Sequence, residues 1–401
     1  MEALILTCGT GGGHNAAAAA LKEEMERRGN HVTMFNPYDL HSTALSEKID
    51  QAYVGLVKHA PKLFGVVYQL GDLYRNLPVR SPVYYLNGRM AERMETYLRD
   101  HPVDVILMTH IFPAQILTYL HEHGVALPKT VLVATDYTCI PFMEECVCDA
   151  YVIPSSELKE EFAGRGIPAE RIYPLGIPVS RSFSSHMTQA DAKRALGMNP
   201  EKKQILMVGG SMGAGKLQKA IELLCNQLKV SGKAEITIIC GNNKPVYEHM
   251  KEHFGNQVRV VGQTKQMPLY LRACDLYLTK AGGLSTTEAA VNGTLLCLLP
   301  SIPGCESHNV DFYERHGMCY TVKATRESME HLLSMLDQPE LKEEMIRNQH
   351  TYVDPQSAGK ICELADSLVK WNRKSLFAPE YEEGWQSNYA ATRADSARYR
   401  A

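Results

Sequence analysis

The sequence predicts an α/β protein made of two doubly wound domains that face each other across a cleft. Three observations carry this. Short β-rich runs alternate with amphipathic helical stretches from residue 3 onward, and that order calls for parallel sheets covered by helices. The alternation breaks at Tyr-Pro-Leu-Gly-Ile-Pro, where Pro174, Gly176 and Pro178 punctuate the chain, and then restarts. The 401 residues suit two domains of roughly 150 to 200 residues each.

In chain order, ALILTC reads as the first strand, GTGGGH as a loop, and NAAAAALKEEMERRG as a helix closed by Gly29. HVTMFNP, VDVILMTH, TVLVATDY and AYVIPS supply further strands. The boundary falls between residues 178 and 190, dividing the chain into domains at 1–180 and 181–355. QILMVGG, EITIICG, QVRVVGQ, DLYLTKA and LLCLLP are the strands of the second domain. PQSAGKICELADSLVKW is a last helix, expected over 356–373 and packing back on the first domain. From residue 374 the apolar periodicity stops, so 374–401 reads as a mobile tail.

Composition narrows the function classes. With 45% hydrophobic and 22% charged residues the chain can bury a sizeable core, and a net charge of −3 gives no global attraction to nucleic acid. Eleven scattered cysteines, with only Cys146 and Cys148 close together, read as reduced thiols and lack the spacing of a structural zinc site. The N-terminus enters a strand at once, without a signal-peptide pattern, and no apolar run approaches the roughly 20 residues of a spanning helix. A cytoplasmic protein is expected.

Three motifs could carry chemistry. In Gly9-Thr10-Gly11-Gly12-Gly13-His14, the glycines Gly11, Gly12 and Gly13 allow close backbone approach, and the helix that follows offers free N–H groups to a polar or anionic group. His14, in the first turn of that helix, would have its imidazole pKa depressed there and be able to accept a proton; a helix-capping histidine is the plainer alternative. The spacing is not that of a dinucleotide fingerprint.

Gly209-Gly210-Ser211-Met212-Gly213-Ala214-Gly215-Lys216 matches most of a P-loop, but Leu217 replaces the hydroxyl that would hold magnesium. A phosphate-cradling loop without a metal fits better than an ATPase. In Thr279 to Ala290, a strand ends at Leu278, the glycines open a turn, and a helix starts around Ser285 with amides able to hold a diphosphate. Glu288 lies one turn in, at the reach of two ribose hydroxyls. Glu306 and Asn309 share a face if the next loop opens a helix, and such a pair suits sugar hydroxyls.

In this order, TGGGH, GGSxGA, AGGxSxxEA and PGxExxN resemble the glycosyltransferase family that contains the lipid-II-forming N-acetylglucosaminyltransferase and the diacylglycerol sugar transferases. Thr135-Asp136-Tyr137 and Leu175-Gly176-Ile177-Pro178 favour the diacylglycerol branch, and the likeness runs from about residue 3 to 372. The resemblance implies a GT-B fold of two Rossmann-like domains, a UDP-sugar donor, a lipid acceptor, and neither a metal nor a tightly bound cofactor. It implies that His14 deprotonates or orients the acceptor, with Asp136 near the acceptor side. It also implies that Gly210 and Ser211 approach the diphosphate, and that Gln263 to Met267 border the uracil. Glu288 holds the ribose, and Glu306 and Asn309 meet the sugar and diphosphate. Lys280 and the turn Gly282-Gly283-Leu284-Ser285 complete the donor side. Cys305 stands where many relatives carry glutamine. The reaction implied is a single inverting displacement at the anomeric carbon.

Between Tyr53 and Met90 the basic residues Lys58, Lys62, Arg75, Arg80 and Arg89 oppose one acid, Asp72, among Tyr53, Phe64, Tyr68, Tyr74, Tyr84 and Tyr85. Such a surface could rest on an anionic membrane at the inner face of the cell membrane; a partly buried helical hairpin is the alternative. Three other functional readings stay open: a UDP-N-acetylglucosamine transferase acting on a polyprenyl-linked acceptor, a non-catalytic UDP-sugar sensor, and a P-loop hydrolase.

Overall fold

The computed structural model describes residues 1–9, 12–42, 79–209, 214–299 and 304–375, with the side chains of 214–217, 229–231 and 371–375 set aside. The first domain runs β1 (Glu2–Leu6), α1 (Gly12–Arg27), β2 (His31–Phe35), α2 (Pro82–Gly88), α3 (Ala91–Asp100), β3 (Val105–Met108) and α4 (Ile111–Glu122). It continues with β4 (Lys129–Val133), β5 (Ala150–Val152), α5 (Lys159–Gly164) and β6 (Ile172–Tyr173). The second opens with α6 (Gln189–Ala195) and continues β7 (Lys203–Val208), α7 (Ala214–Ser231), β8 (Ala234–Ile239), α8 (Lys244–Phe254), β9 (Arg259–Val261), α9 (Met267–Ala273) and β10 (Leu276–Thr279). Then come α10 (Gly283–Asn292), β11 (Leu296–Leu298), α11 (Cys305–Arg315), β12 (Tyr320–Thr321), α12 (Arg326–Met335), α13 (Pro339–Tyr352) and α14 (Ser357–Ser375).

Among the described residues each domain holds one six-stranded sheet, ordered β2-β1-β3-β4-β5-β6 and β12-β11-β10-β7-β8-β9, and every pairing is parallel. A parallel sheet is buried on both faces, which is why its strands read as apolar runs. On β1 the two faces alternate. Leu4 and Leu6 join one core cluster, while Ala3 and Ile5 join another made with Leu21 and Met25 of α1 and Ile361, Cys362 and Ala365 of α14. The last helix therefore closes over the first domain. The first cluster runs on without a break into the second domain, through Tyr137, Phe312 and Tyr313.

Strand order reverses between β1 and β3 in one sheet and between β7 and β10 in the other. In doubly wound sheets the crevice above such a switch, at the carboxyl ends of the strands, is where ligands sit. The switches set His14 beside Thr109 and His110, and the AGGLS turn at the carboxyl end of β10, next to β7.

Several local expectations need correction. The helix after β1 starts at Gly12, so Gly12 and Gly13 are helical and not loop. The helix after β10 starts at Gly283 with Gly282 as its N-cap, two residues before Ser285, which puts Glu288 nearer its second turn. β6 and β12, of two residues each, lie outside the strand runs read from the sequence. The last helix reaches Ser375; the rest of the expected tail, 376–401, lies outside the described residues.

Candidate active site

His14 is built into the N-terminal wall by its neighbours at the switch point. Its Nδ1 lies 2.8 Å from the Thr109 carbonyl oxygen and 2.9 Å from Thr135 Oγ1. A carbonyl only accepts, so Nδ1 carries the proton and donates it to Thr109, leaving Nε2 with its lone pair as the basic atom. The ring packs edge-on against His110 at 4.6 Å. His110 caps α4 by accepting from the Phe112 N–H at 3.1 Å. Burial is the main cause that lowers the His14 pKa below 6.5, opposed by the Asp136 carboxylate and the bond to Thr109. The helix N-terminus invoked from the sequence is not the main cause. His110, lowered further by burial and by His14, is neutral as well. A cavity of about 10 Å³, enough for one water, lies among His14, His110, Thr135, Asp136 and Thr138.

The opposite wall is made of helix N-termini. α2, α6, α8 and α12 carry side-chain caps from Ser81, Thr188, Asn243 and Thr325. α10 and α11 carry glycine N-caps, Gly282 and Gly304, with no side-chain cap bond among the described residues, the kind of helix end at which an anion can sit. Gly304 has φ 125° and ψ −143°, a conformation only glycine adopts without strain. Glu288, half-buried on α10, has no hydrogen-bond partner among the described residues, and burial pushes its carboxyl up to about 8.

The remaining predicted residues divide. Lys280 is ion-paired with Glu306, so its charge is already answered inside the protein. Asn309 is fully buried and committed: its Oδ1 accepts from Tyr137 N–H at 2.7 Å, and its Nδ2 donates to Asp136 Oδ1 at 2.8 Å and to the Ala281 carbonyl at 3.0 Å. Both amide protons are bonded to protein. Gln263 is exposed in the loop after β9 and Met267 opens α9, which packs against α10. Leu284 is buried and its Cβ faces Gly13 across the seam; Ser285 is partly buried. Gly11, Gly210 and Ser211 lie outside the described residues.

Sequence reasoning missed four participants: Thr109, His110, Thr135 and Tyr137. Two were in view as the last residues of VDVILMTH and two flank Asp136 in TVLVATDY, but only strand order brings the two ends together.

The basic and aromatic stretch is described only from residue 79. Arg80 turns inward, bonded to Glu122 and to the Glu145 carbonyl at 2.7 Å and lying 5.1 Å over the buried Tyr84 ring. Tyr85 and Leu86 are 58% and 57% exposed, beside exposed Arg89. Lys58, Lys62, Arg75 and the aromatic residues from Tyr53 to Tyr74 lie outside the described residues. No helix among those described is long and apolar enough to cross a membrane.

Comparison with known proteins agrees with this geometry. Residues 14–179 match the family described as monogalactosyldiacylglycerol (MGDG) synthase, and residues 204–358 match the glycosyltransferase family 28 C-terminal domain. A processive diacylglycerol beta-glucosyltransferase of Bacillus licheniformis is 27% identical over 350 residues, covering 86% of this chain and 89% of the relative. The chloroplastic monogalactosyldiacylglycerol synthase of Spinacia oleracea is 28% identical over 398 residues, covering 94% and 74%. Among solved structures, Acinetobacter baumannii MurG superposes with a TM-score of 0.58 at 16% identity, covering 91% of this chain and 99% of that one. That likeness, with the two facing parallel sheets, makes the fold GT-B.

Proposed function

The chain belongs to the monogalactosyldiacylglycerol synthase and glycosyltransferase family 28 group, and on that premise we propose that it is an inverting glycosyltransferase that moves a hexose from a UDP-sugar to diacylglycerol or a similar lipid acceptor. One observation carries this reading. At the seam between the domains, an imidazole fixed as a neutral base bonds Thr135, against which the N-terminus of α10 is packed, and α10 carries a glutamate with no hydrogen-bond partner among the described residues.

In the proposed reaction His14 Nε2 takes the proton of the acceptor hydroxyl as that oxygen bonds to the anomeric carbon. The bond from that carbon to the β-phosphate oxygen breaks on the opposite face, and UDP leaves with the electron pair. Negative charge developing on the diphosphate meets the amides of α10 and α11, which are already oriented. Because Lys280 is paired with Glu306, these amides and not a free lysine supply the stabilisation. Glu288 holds the ribose and the Gln263 to Met267 segment borders the uracil. Proton removal contributes on the order of 10²- to 10⁴-fold, and positioning by the closed cleft supplies a large further share.

The exposed Tyr85, Leu86 and Arg89 lie in the acceptor half and suit contact with a lipid surface, which makes peripheral membrane association part of the proposal. Purified full-length protein, given a panel of UDP-hexoses and vesicles containing diacylglycerol, should release UDP only when both substrates are present. His14→Ala should abolish most of that release while retaining UDP binding. A chain that binds UDP-sugars yet never turns over would be a sensor and not this enzyme.

A further inference from the structure

Thr135, Asp136 and Tyr137 follow β4 in the first domain, and the second domain grips all three. A Cβ placed on Gly283 would overlap the Thr135 carbonyl oxygen and lie 3.1 Å from Asp136 Cα, so the N-terminus of α10 is pressed against this tripeptide. Asp136 accepts from Asn309 of α11. Tyr137 is 3% exposed, with its ring stacked on Phe312 at 4.6 Å. Its hydroxyl is shared with Thr287 Oγ1 at 2.9 Å and Tyr313 at 3.1 Å, both in the second domain. From the other side His14 touches Thr135 Oγ1 and feels the Asp136 carboxylate.

We propose that Asn309 and Tyr137 form an interdomain latch in which Asn309 is a positioning residue. It holds Asp136 toward His14, so that closing the cleft and assembling the base are one event. The inference rests on the glycosyltransferase reading of the cleft, and it explains why an asparagine beside the donor wall spends both amide protons on protein. The charged and titratable groups around the latch come from several elements. His110 faces His14; Cys305 lies beside Asp136 and also beside the paired Glu306 and Lys280; and α11 meets the first domain again where Glu157 pairs with His316 at 2.9 Å and Arg315 at 3.8 Å.

Asn309→Asp replaces the donor to Asp136 with a second carboxylate at constant shape. Full-length protein with the UDP-hexose it turns over fastest should show kcat reduced on the order of 10- to 100-fold with donor KM nearly unchanged. The acid limb of its kcat profile should move to higher pH. NMR titration of the His14 imidazole, assigned by its loss in His14→Gln, should show the same upward shift without any turnover. Tyr137→Phe keeps the ring stack and loses the hydroxyl bonds; it adds no charge and loosens the hold on Asp136, whose carboxylate raises the His14 pKa, so it should shift His14 downward, and it carries the test if thermal melting finds Asn309→Asp unfolded. A raised donor KM with His14 unmoved would make Asn309 a sugar ligand, and a His14 titration unmoved in both variants would overturn the latch. If the unaltered chain transfers no hexose, the functional reading fails while the titration still decides the latch.

Discussion

Glu288 reaches the donor wall largely protonated at neutral pH, because burial pushes its carboxyl up to about 8. In the proposed ribose contact the ionised carboxylate accepts from both hydroxyls more strongly than the protonated acid, one oxygen of which carries a proton, so UDP binding favours release of that proton. Affinity for UDP should therefore rise with pH and level off above about 8, with a slope of up to tenfold per pH unit below it. Calorimetry in two buffers of different ionisation enthalpy reads the released proton directly. Glu288→Gln should weaken UDP roughly tenfold or more and flatten the pH dependence, the loss of hydrogen bonds to a charged group being about 1.5–3 kcal/mol. A pH-independent affinity in the unaltered chain would contradict this assignment. For His14 the pKa is shifted the other way, although its activity likewise rises with pH. Its pKa lies below 6.5, so the base is ready at neutral pH and the acid limb of kcat lies on the low side of that value. The Asp136 charge raises the His14 pKa, and Asp136→Asn should therefore move the limb to still lower pH. A limb that stays in place would remove Asp136 from the base's surroundings.

At the scale of elements, the helix after β10 explains both what was legible in the sequence and what was not. Strands of four to six apolar residues announce themselves, whereas the two-residue β6 and β12 carry no pattern to read. Ser285 looked like the start of a helix because serine is a good cap and glycine a poor helix former. The helix nevertheless begins at Gly283, because only a residue without Cβ fits against the Thr135 carbonyl. Tertiary contact overrides propensity here. Gly283→Ala should hold the cleft open, lowering kcat/KM on the order of 10²-fold through misplacement of the reacting groups. UDP binding by the second domain should survive, since the amides of α10 remain. Small-angle scattering should detect the wider cleft, and an unchanged profile with full activity would refute the close approach.

For the whole molecule, the glycine loops and Glu288 could be read as one side of a nucleotide-sugar site because each is local. The junction between domains could not. Asn309 meets Asp136 across 173 residues of sequence, and Tyr137 reaches Thr287 across 150. A motif reading sends Asn309 to the sugar; the structure bonds its side chain to Asp136 and Tyr137 of the other domain and to Ala281 of its own. The same holds for His14, whose tautomer is set by a carbonyl 95 residues away. In the proposed mechanism catalysis depends on the two domains meeting, and the central claim is that their meeting transfers a hexose to a lipid. The most direct test is to incubate the full-length chain with diacylglycerol vesicles and individual UDP-hexoses, then resolve the lipid products by mass spectrometry and their anomeric configuration by NMR. The account predicts a hexosyl-diacylglycerol with a β linkage formed from the α-linked donor, with one UDP released per sugar transferred. An α-linked product would contradict inversion, and UDP release without any glycolipid, or no release from any UDP-hexose, would contradict the account as a whole.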